Sequence, residues 1–242
     1  MSENTAVYFD GEAETWSGRY NERRQFRDRL LTVLRWVGEK RAGINLLDYG
    51  CGSGDLLTHL AKAGFDVTGI DISAGMLKAA MQSLQSAGVP SDRFRLEQVR
   101  TDGSANALQE KFDGVISLGV LEYLDDPTAV LQKLSQALVP DGFLIISVPN
   151  RTSLLRRFER FVFRNPAFFE KLGLFPNLRG PQSYLNFQKH QFTLAELDTL
   201  LGRWGLTRQR EYYHAGPPAF AKSLESSPAI AMTFIAEFRK TS

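Results

Sequence analysis

Cysteine is nearly absent from the 242-residue sequence: Cys51 stands alone, so no internal disulfide can form and the fold must rest on burial. That suits a reducing compartment, and a cytoplasmic location is expected. No stretch approaches the roughly 18 apolar residues of a membrane span. Residues 1–10 also lack the basic region and apolar run of a secretory signal. An excess of one charge is missing too, since 29 Lys and Arg face 27 Asp and Glu, a net charge of +2. A nucleic-acid partner, whose phosphates call for a dominant basic surface, is therefore not expected. What is present, 43% hydrophobic and 23% charged residues, is the make-up of an ordinary globular protein. The length suits a single domain over 1–242 carrying additional segments, not two full domains.

Periodicity organises the chain. Phe26, Leu30, Val33, Leu34 and Val37 recur at helical spacing and predict an amphipathic helix over 22–39. Residues 44–49 predict a strand ending at glycines, and Leu56, Leu57, Leu60 and Ala61 a helix that stops at Gly64. The rhythm continues with strands at 65–71, 94–99 and 112–118 and a helix at 73–87. Asp126 and Pro127 then open a helix carrying Val130, Leu131, Leu134 and Leu138. Pro140-Asp141-Gly142 predicts a turn into a buried strand at 143–148. Such alternation implies an α/β fold, a parallel sheet with helices on both faces. Thr193 with Glu196 marks a capping box, and 206–214 and 230–240 predict two strands able to pair antiparallel.

The segment Asp48-Tyr49-Gly50-Cys51-Gly52-Ser53-Gly54 follows a predicted strand and opens a helix. Glycines at alternate positions let the backbone turn tightly and let a ligand approach main-chain atoms closely. Open α/β sheets bind ligands at such carboxyl ends. Asp71 ends the next strand, where a carboxylate can accept hydrogen bonds from both ribose hydroxyls of an adenosine or cap the following helix. A nicotinamide dinucleotide fold would share these features, yet its fingerprint spaces the glycines G-x-G-x-x-G, whereas the spacing here is G-x-G-x-G.

Four ordered stretches make the sequence resemble the class I S-adenosylmethionine-dependent methyltransferases over about residues 44–150. They are Leu47-Asp48-Tyr49-Gly50-Cys51-Gly52-Ser53-Gly54, Gly69-Ile70-Asp71-Ile72-Ser73 with Met76, Phe112-Asp113-Gly114-Val115-Ile116 leading to Val120-Leu121-Glu122-Tyr123-Leu124, and Pro140-Asp141-Gly142-Phe143. The resemblance implies a Rossmann-like seven-stranded sheet, mostly parallel with an antiparallel last strand. It also implies S-adenosylmethionine as methyl donor and S-adenosylhomocysteine as product. Asp48, Gly50 and Gly52 look like the positions around the methionine part, Asp71 the ribose position, and Ile72, Met76 and Asp102 the adenine contacts. Leu118 and Gly119 look like the place that holds the ligand's amino group. Within the family the chain is most similar to the small-molecule branch of the ubiquinone-biosynthesis O-methyltransferases. There an acidic residue before the valine-leucine-glutamate stretch, and a histidine after it, can assist metal binding. Gly119 and Tyr123 occupy those places here, so chemistry without a metal is expected. The stretch Tyr8-Phe9-Asp10 with Trp16 and Tyr20 resembles the helical lid of that branch, expected over 1–40. Its aromatic faces suit a sulfonium cation.

The expected reaction is methylation of a small hydrophobic or aromatic acceptor, most naturally at oxygen. Nitrogen or carbon acceptors, or a module that binds the cofactor without turning it over, use the same cofactor residues. A hydroxyl acceptor benefits from a base, for which His190 is the first candidate and His214 the second. Glu122 and Tyr184 are candidate acceptor contacts. Between 151 and 180 seven basic residues face two acidic ones, and Leu154, Leu155, Phe158, Phe161 and Val162 share one helical face. This insert, 151–190, is expected to be a cap closing its apolar face over the site, a contact with an anionic membrane, or a homodimer interface.

Overall fold

In the computed structural model the described residues are 3–16, 18, 23–100, 103–165, 168, 171, 187–214 and 227–241. Seven strands make one sheet: β1 (Asn45–Tyr49), β2 (Asp66–Asp71), β3 (Phe94–Gln98), β4 (Phe112–Leu118), β5 (Leu138–Pro149), β6 (Leu206–His214) and β7 (Thr233–Lys240). The order is β3-β2-β1-β4-β5-β7-β6. Strands β1 to β5 pair in parallel, while β7 is antiparallel to both β5 and β6. The expected C-terminal pair therefore forms and enters the sheet through its second member. Around the sheet lie α1 (Glu3–Trp16), α2 (Arg24–Gly38), α3 (Asp55–Lys62), α4 (Ala74–Ser86), α5 (Pro127–Gln136), α6 (Leu154–Arg164) and α7 (Leu194–Gly202).

Alternation along the strands builds two apolar layers. Leu47, Val115, Ile146 and Phe234 face α5 and α7, burying Leu131, Leu134, Leu197 and Leu201. Their chain neighbours Leu46, Ile116, Ile145 and Ile235 face the other way, onto Val33 and Val37 of α2 and Leu57 and Leu60 of α3. Helix starts are fixed by side chains. Ser73 accepts from Met76 N at 2.9 Å, Asp126 from Ala129 N at 2.9 Å, and Thr193 with Glu196 forms the expected capping box. The ligand-bearing position of such a sheet is the switch between β1 and β4, at the carboxyl ends of the strands.

One expectation is corrected. The turn expected at Pro140-Asp141-Gly142 lies inside β5, which begins five residues earlier than the apolar run suggests. Leu138 pairs with Phe112, and the register then shifts so that Phe143 pairs with Gly114. Asp141 takes a φ of 60 there, so the residues form an irregularity within a strand. The apolar face of α6 is divided, part turned to solvent and part inward. Leu154, Phe158 and Phe161 are 53%, 51% and 56% exposed, whereas Arg156 and Val162 are 7% and 4% exposed. Arg156 is held inward by its Nε–H donating to Met232 O at 3.1 Å and its guanidinium meeting Glu159 at 2.7 Å.

Candidate active site

The glycine turn closes over β2. Gly50 N and Cys51 N both donate to Ile70 O, at 2.7 and 3.1 Å, and Gly52 N donates to Asp71 Oδ2 at 2.9 Å. Gly50 and Gly52 have φ of 79 and 53, in the left-handed region. A Cβ at Gly50 would lie 2.2 Å from Val120 Cγ2, so any side chain there would force the turn apart from the segment after β4. Asp71 Oδ1 accepts from Ser73 N at 2.9 Å, so each carboxylate oxygen already has one backbone partner and retains a lone pair. Burial raises the Asp71 carboxyl above its usual range, and these N–H donors oppose the shift.

Helix α1 is tied to this region. Asp10 Oδ1 accepts from Ser73 Oγ at 2.5 Å and from Gly75 N at 2.9 Å, at the start of α4. This brings an aromatic cluster over the turn. Phe9 meets Tyr8, Trp16 and Tyr123 edge-on, with centroids 5.2, 5.4 and 5.4 Å apart, and Trp16 meets Phe26 at 6.0 Å. Tyr8 also stacks on Phe187 at 4.5 Å.

Beneath the cluster a cavity follows the carboxyl edge of the sheet. At one end it is lined by Gly50, Gly52, Asp71, Ile72 and Met76; Leu118 and Gly119 lie midway; Pro149, Thr233 and His214 close the other end. From the middle to the far end the lining is ionisable, with Arg29 and Glu122 beside Gly119 and Arg156 and His214 beyond them. Arg29 reaches in from α2: its Nη1 lies 2.7 Å from where a Gly119 Cβ would stand, and Glu122 Oε1 lies 3.7 Å from the same point. Burial pushes Glu122 up to about 7 against the opposing charges of Arg29 and Arg156. Burial and the Arg29 charge push His214 down to about 3.

Of the expected site residues, Gly50, Gly52, Asp71, Ile72, Met76, Leu118, Gly119, Tyr8, Trp16 and Glu122 all line this cavity. Asp48 is not in the lining. It is 4% exposed behind the turn, its carboxyl pushed up to about 7 by burial and by Asp71. His190 is not in the lining either: its backbone N–H donates to Glu122 O at 3.2 Å, and its ring lies 6.4 Å from that of Phe192. Tyr20, Asp102 and Tyr184 lie outside the described residues. Arg29 and Arg156 are lining residues that sequence reasoning missed. Among the described residues, no three His, Cys, Asp or Glu side chains converge as a metal site.

A switch-point cavity under an aromatic cover, with a G-x-G-x-G turn, an acidic strand end beside it and a sheet closed by an antiparallel β7, fits the class I S-adenosylmethionine-dependent methyltransferases. Residues 18–211 match the model of the methyltransferase domain, and the chain belongs to that family. It is similar to the ubiquinone biosynthesis O-methyltransferase of Psychrobacter arcticus, 32% identical over 69% of this chain and 61% of that one. The same enzyme of Azorhizobium caulinodans is 28% identical over 75% and 74%. The chain thus spans about 61% of the length of the first of these relatives. Among solved structures, a magnesium protoporphyrin IX methyltransferase from Synechocystis PCC 6803 with bound SAH shares the fold. Its TM-score is 0.69, with 22% identity over 98% of both chains. An N-methyltransferase from Bradyrhizobium japonicum WM9 in complex with S-adenosylhomocysteine has a TM-score of 0.65 at 18% identity, over 99% of this chain and all of that one.

Proposed function

We propose that the chain is an enzyme that transfers the methyl group of S-adenosylmethionine to a hydroxyl of a small, flat, largely apolar acceptor. The residues present fit the donor. Asp71 has lone pairs left for ribose hydroxyls, Ile72 and Met76 give an apolar bed for adenine, and the side-chain-free turn at Gly50 and Gly52 admits the methionine part. Arg29, beside Gly119, supplies a cation for the methionine carboxylate. When bound, the donor supplies a methyl group on a positively charged sulfur, which becomes a neutral thioether as the methyl moves to the acceptor oxygen.

The oxygen reading is carried by the charge at the far end of the cavity. With Arg29 facing the methionine carboxylate, the inward-turned guanidinium of Arg156 disfavours a protonated amine and favours an oxygen that develops negative charge. Glu122, with its carboxyl at about 7, has the basicity to take the hydroxyl proton near neutral pH, and it lines the cavity where His190 does not. The aromatic cover of Phe9, Tyr123 and Tyr8 suits a ring. The name of the relatives, O-methyltransferases, supports the same atom. The protein's work is then to align the acceptor and keep out water. The test is calorimetry with S-adenosylmethionine, S-adenosylhomocysteine and NAD, followed by transfer of labelled methyl to catechol, phenol, aniline and indole. Tight S-adenosylhomocysteine binding with label on the hydroxyl compounds is expected; preferential NAD binding ends the proposal, and label on aniline or indole alone ends the oxygen reading.

A membrane-delivered acceptor is favoured by one observation. The outer face of α6 exposes Leu154, Phe158 and Phe161 with Arg157 and Arg164 interleaved, an apolar stripe edged by cations that suits an anionic lipid surface. No helix among the described residues is long and apolar enough to cross a membrane. Sedimentation with phosphatidylglycerol vesicles at low and physiological salt should retain the protein, more at low salt; no retention at either ends this reading.

A further inference from the structure

Four strand ends form a row along the cavity: Leu118 of β4, Pro149 of β5, Thr233 of β7 and His214 of β6, with Thr233 and His214 directly paired. His214 is 2% exposed, yet neither of its ring nitrogens has a hydrogen-bond partner. In the same lining Glu122 Oε2 and Arg29 Nε are also buried without partners. Buried polar atoms are nearly always paired; with Arg29 assigned to the donor's carboxylate, the three unpaired atoms of His214 and Glu122 mark a place built for a further polar group from outside the chain.

The chemistry of these atoms narrows that group. An uncharged imidazole presents one N–H donor and one bare nitrogen acceptor. Arg156 in the same lining disfavours a cationic ligand, while the rings of Phe9 and Tyr123 face the same space. The imidazole's donor and acceptor point to opposite edges of the ring, so a single group meets the N–H alone and can give its own hydrogen bond to Glu122 Oε2; a group that takes one and gives the other at the edge of a flat apolar body is an aromatic hydroxyl. We propose that His214 is the residue that recognises the acceptor, its neutral ring donating its N–H to a phenolic oxygen whose own proton is turned to Glu122, and so fixing how the acceptor sits. Because burial keeps the ring uncharged at neutral pH, its part is selection and orientation, and the proton leaves to Glu122. This rests on the reading of the cavity as a methyl-transfer site.

The full chain has three histidines, so a ring-¹⁵N-labelled sample gives a readily assigned spectrum. Loaded with S-adenosylhomocysteine, it is titrated with catechol, and with toluene as control. The His214 nitrogen signals should move with catechol and stay with toluene. His214→Leu should weaken catechol binding by at least about tenfold while S-adenosylhomocysteine affinity stays within about twofold, and His214→Gln, which keeps a donor and an acceptor, should recover part of the loss. The inference is overturned if catechol up to about 10 mM leaves the His214 signals unmoved, or if His214→Leu binds catechol like the wild type. Failure of wild-type protein to bind S-adenosylhomocysteine strikes instead at the methyl-transfer reading beneath it.

Discussion

Glu122 is the residue on which the proposed chemistry turns. Its carboxyl is raised to about 7 by burial, so it is protonated in acid and gains its basic form only as the pH rises through that value. A base must be unprotonated to act. The kcat/KM for a hydroxyl acceptor should therefore climb with pH and level off above about 7, and Glu122→Gln should lower it by roughly 10²- to 10⁴-fold and remove that rise. Asp71 offers a second check at the same scale. Asp71→Ala should weaken S-adenosylhomocysteine binding by more than about tenfold in calorimetry, since a charged hydrogen-bond acceptor is worth about 1.5–3 kcal/mol. It should also loosen the turn, because Gly52 N and Ser73 N lose their partner. The glycine turn and Asp71 were legible because each is announced by immediate neighbours: a strand before, a helix after. Arg29 is one of several arginines between 23 and 29, and Arg156 one of many between 151 and 164, so no local signal separates the one that turns inward. His214 stood as the second histidine candidate, and only the pairing of β6 with β7 brings it to the cavity.

At the scale of elements, periodicity located the helices and strands closely, since apolar repeats respond to burial on one side. The expected helix over 22–39 is Arg24–Gly38, and the strand over 94–99 is Phe94–Gln98. Orientation was a different matter for α6. Its apolar and basic residues both form stripes, and a stripe can face a core, a lipid surface or solvent equally well. Ser153 and Arg156, hydrogen-bonded to Ile230 O and Met232 O, turn one edge of the helix inward together with Val162 and leave Leu154, Phe158 and Phe161 exposed. The consequence can be measured by urea unfolding. Leu154→Ser, at a site 53% exposed, should change stability by less than about 0.5 kcal/mol. Val162→Ala, at a site 4% exposed, should cost about 1–2 kcal/mol. The reverse ranking would mean that α6 packs by Leu154 and its exposed neighbours instead of by the edge that carries Val162. A clearer local signal, the capping box of α7, predicts a loss of about 1 kcal/mol for Thr193→Ala.

Over the whole molecule, the cavity shapes how stability depends on pH. Asp48 and Glu122 are both raised to about 7, so the folded chain holds their protons more tightly than the unfolded chain does. Their stabilising contribution is complete in acid and is lost as the pH rises through about 7. His214, lowered to about 3, acts oppositely: its contribution is complete above the ordinary histidine value and is lost as the pH falls below it. With two carboxyls against one imidazole, these groups make the ligand-free protein less stable as the pH rises from about 5 to about 7.5. Glu122→Gln isolates one share of this effect, because the amide resembles the protonated carboxyl in shape and stays neutral. In urea unfolding the variant should match the wild type near pH 4 and exceed it near pH 8 by on the order of 1–3 kcal/mol. The same substitution should remove the basic group from the acceptor end. A variant more stable only in alkali, and slower in methyl transfer, would show that stability is given up at Glu122 to keep a base in a buried site. Equal stability at both pH values would show instead that Glu122 titrates in its ordinary range, and that the base lies elsewhere.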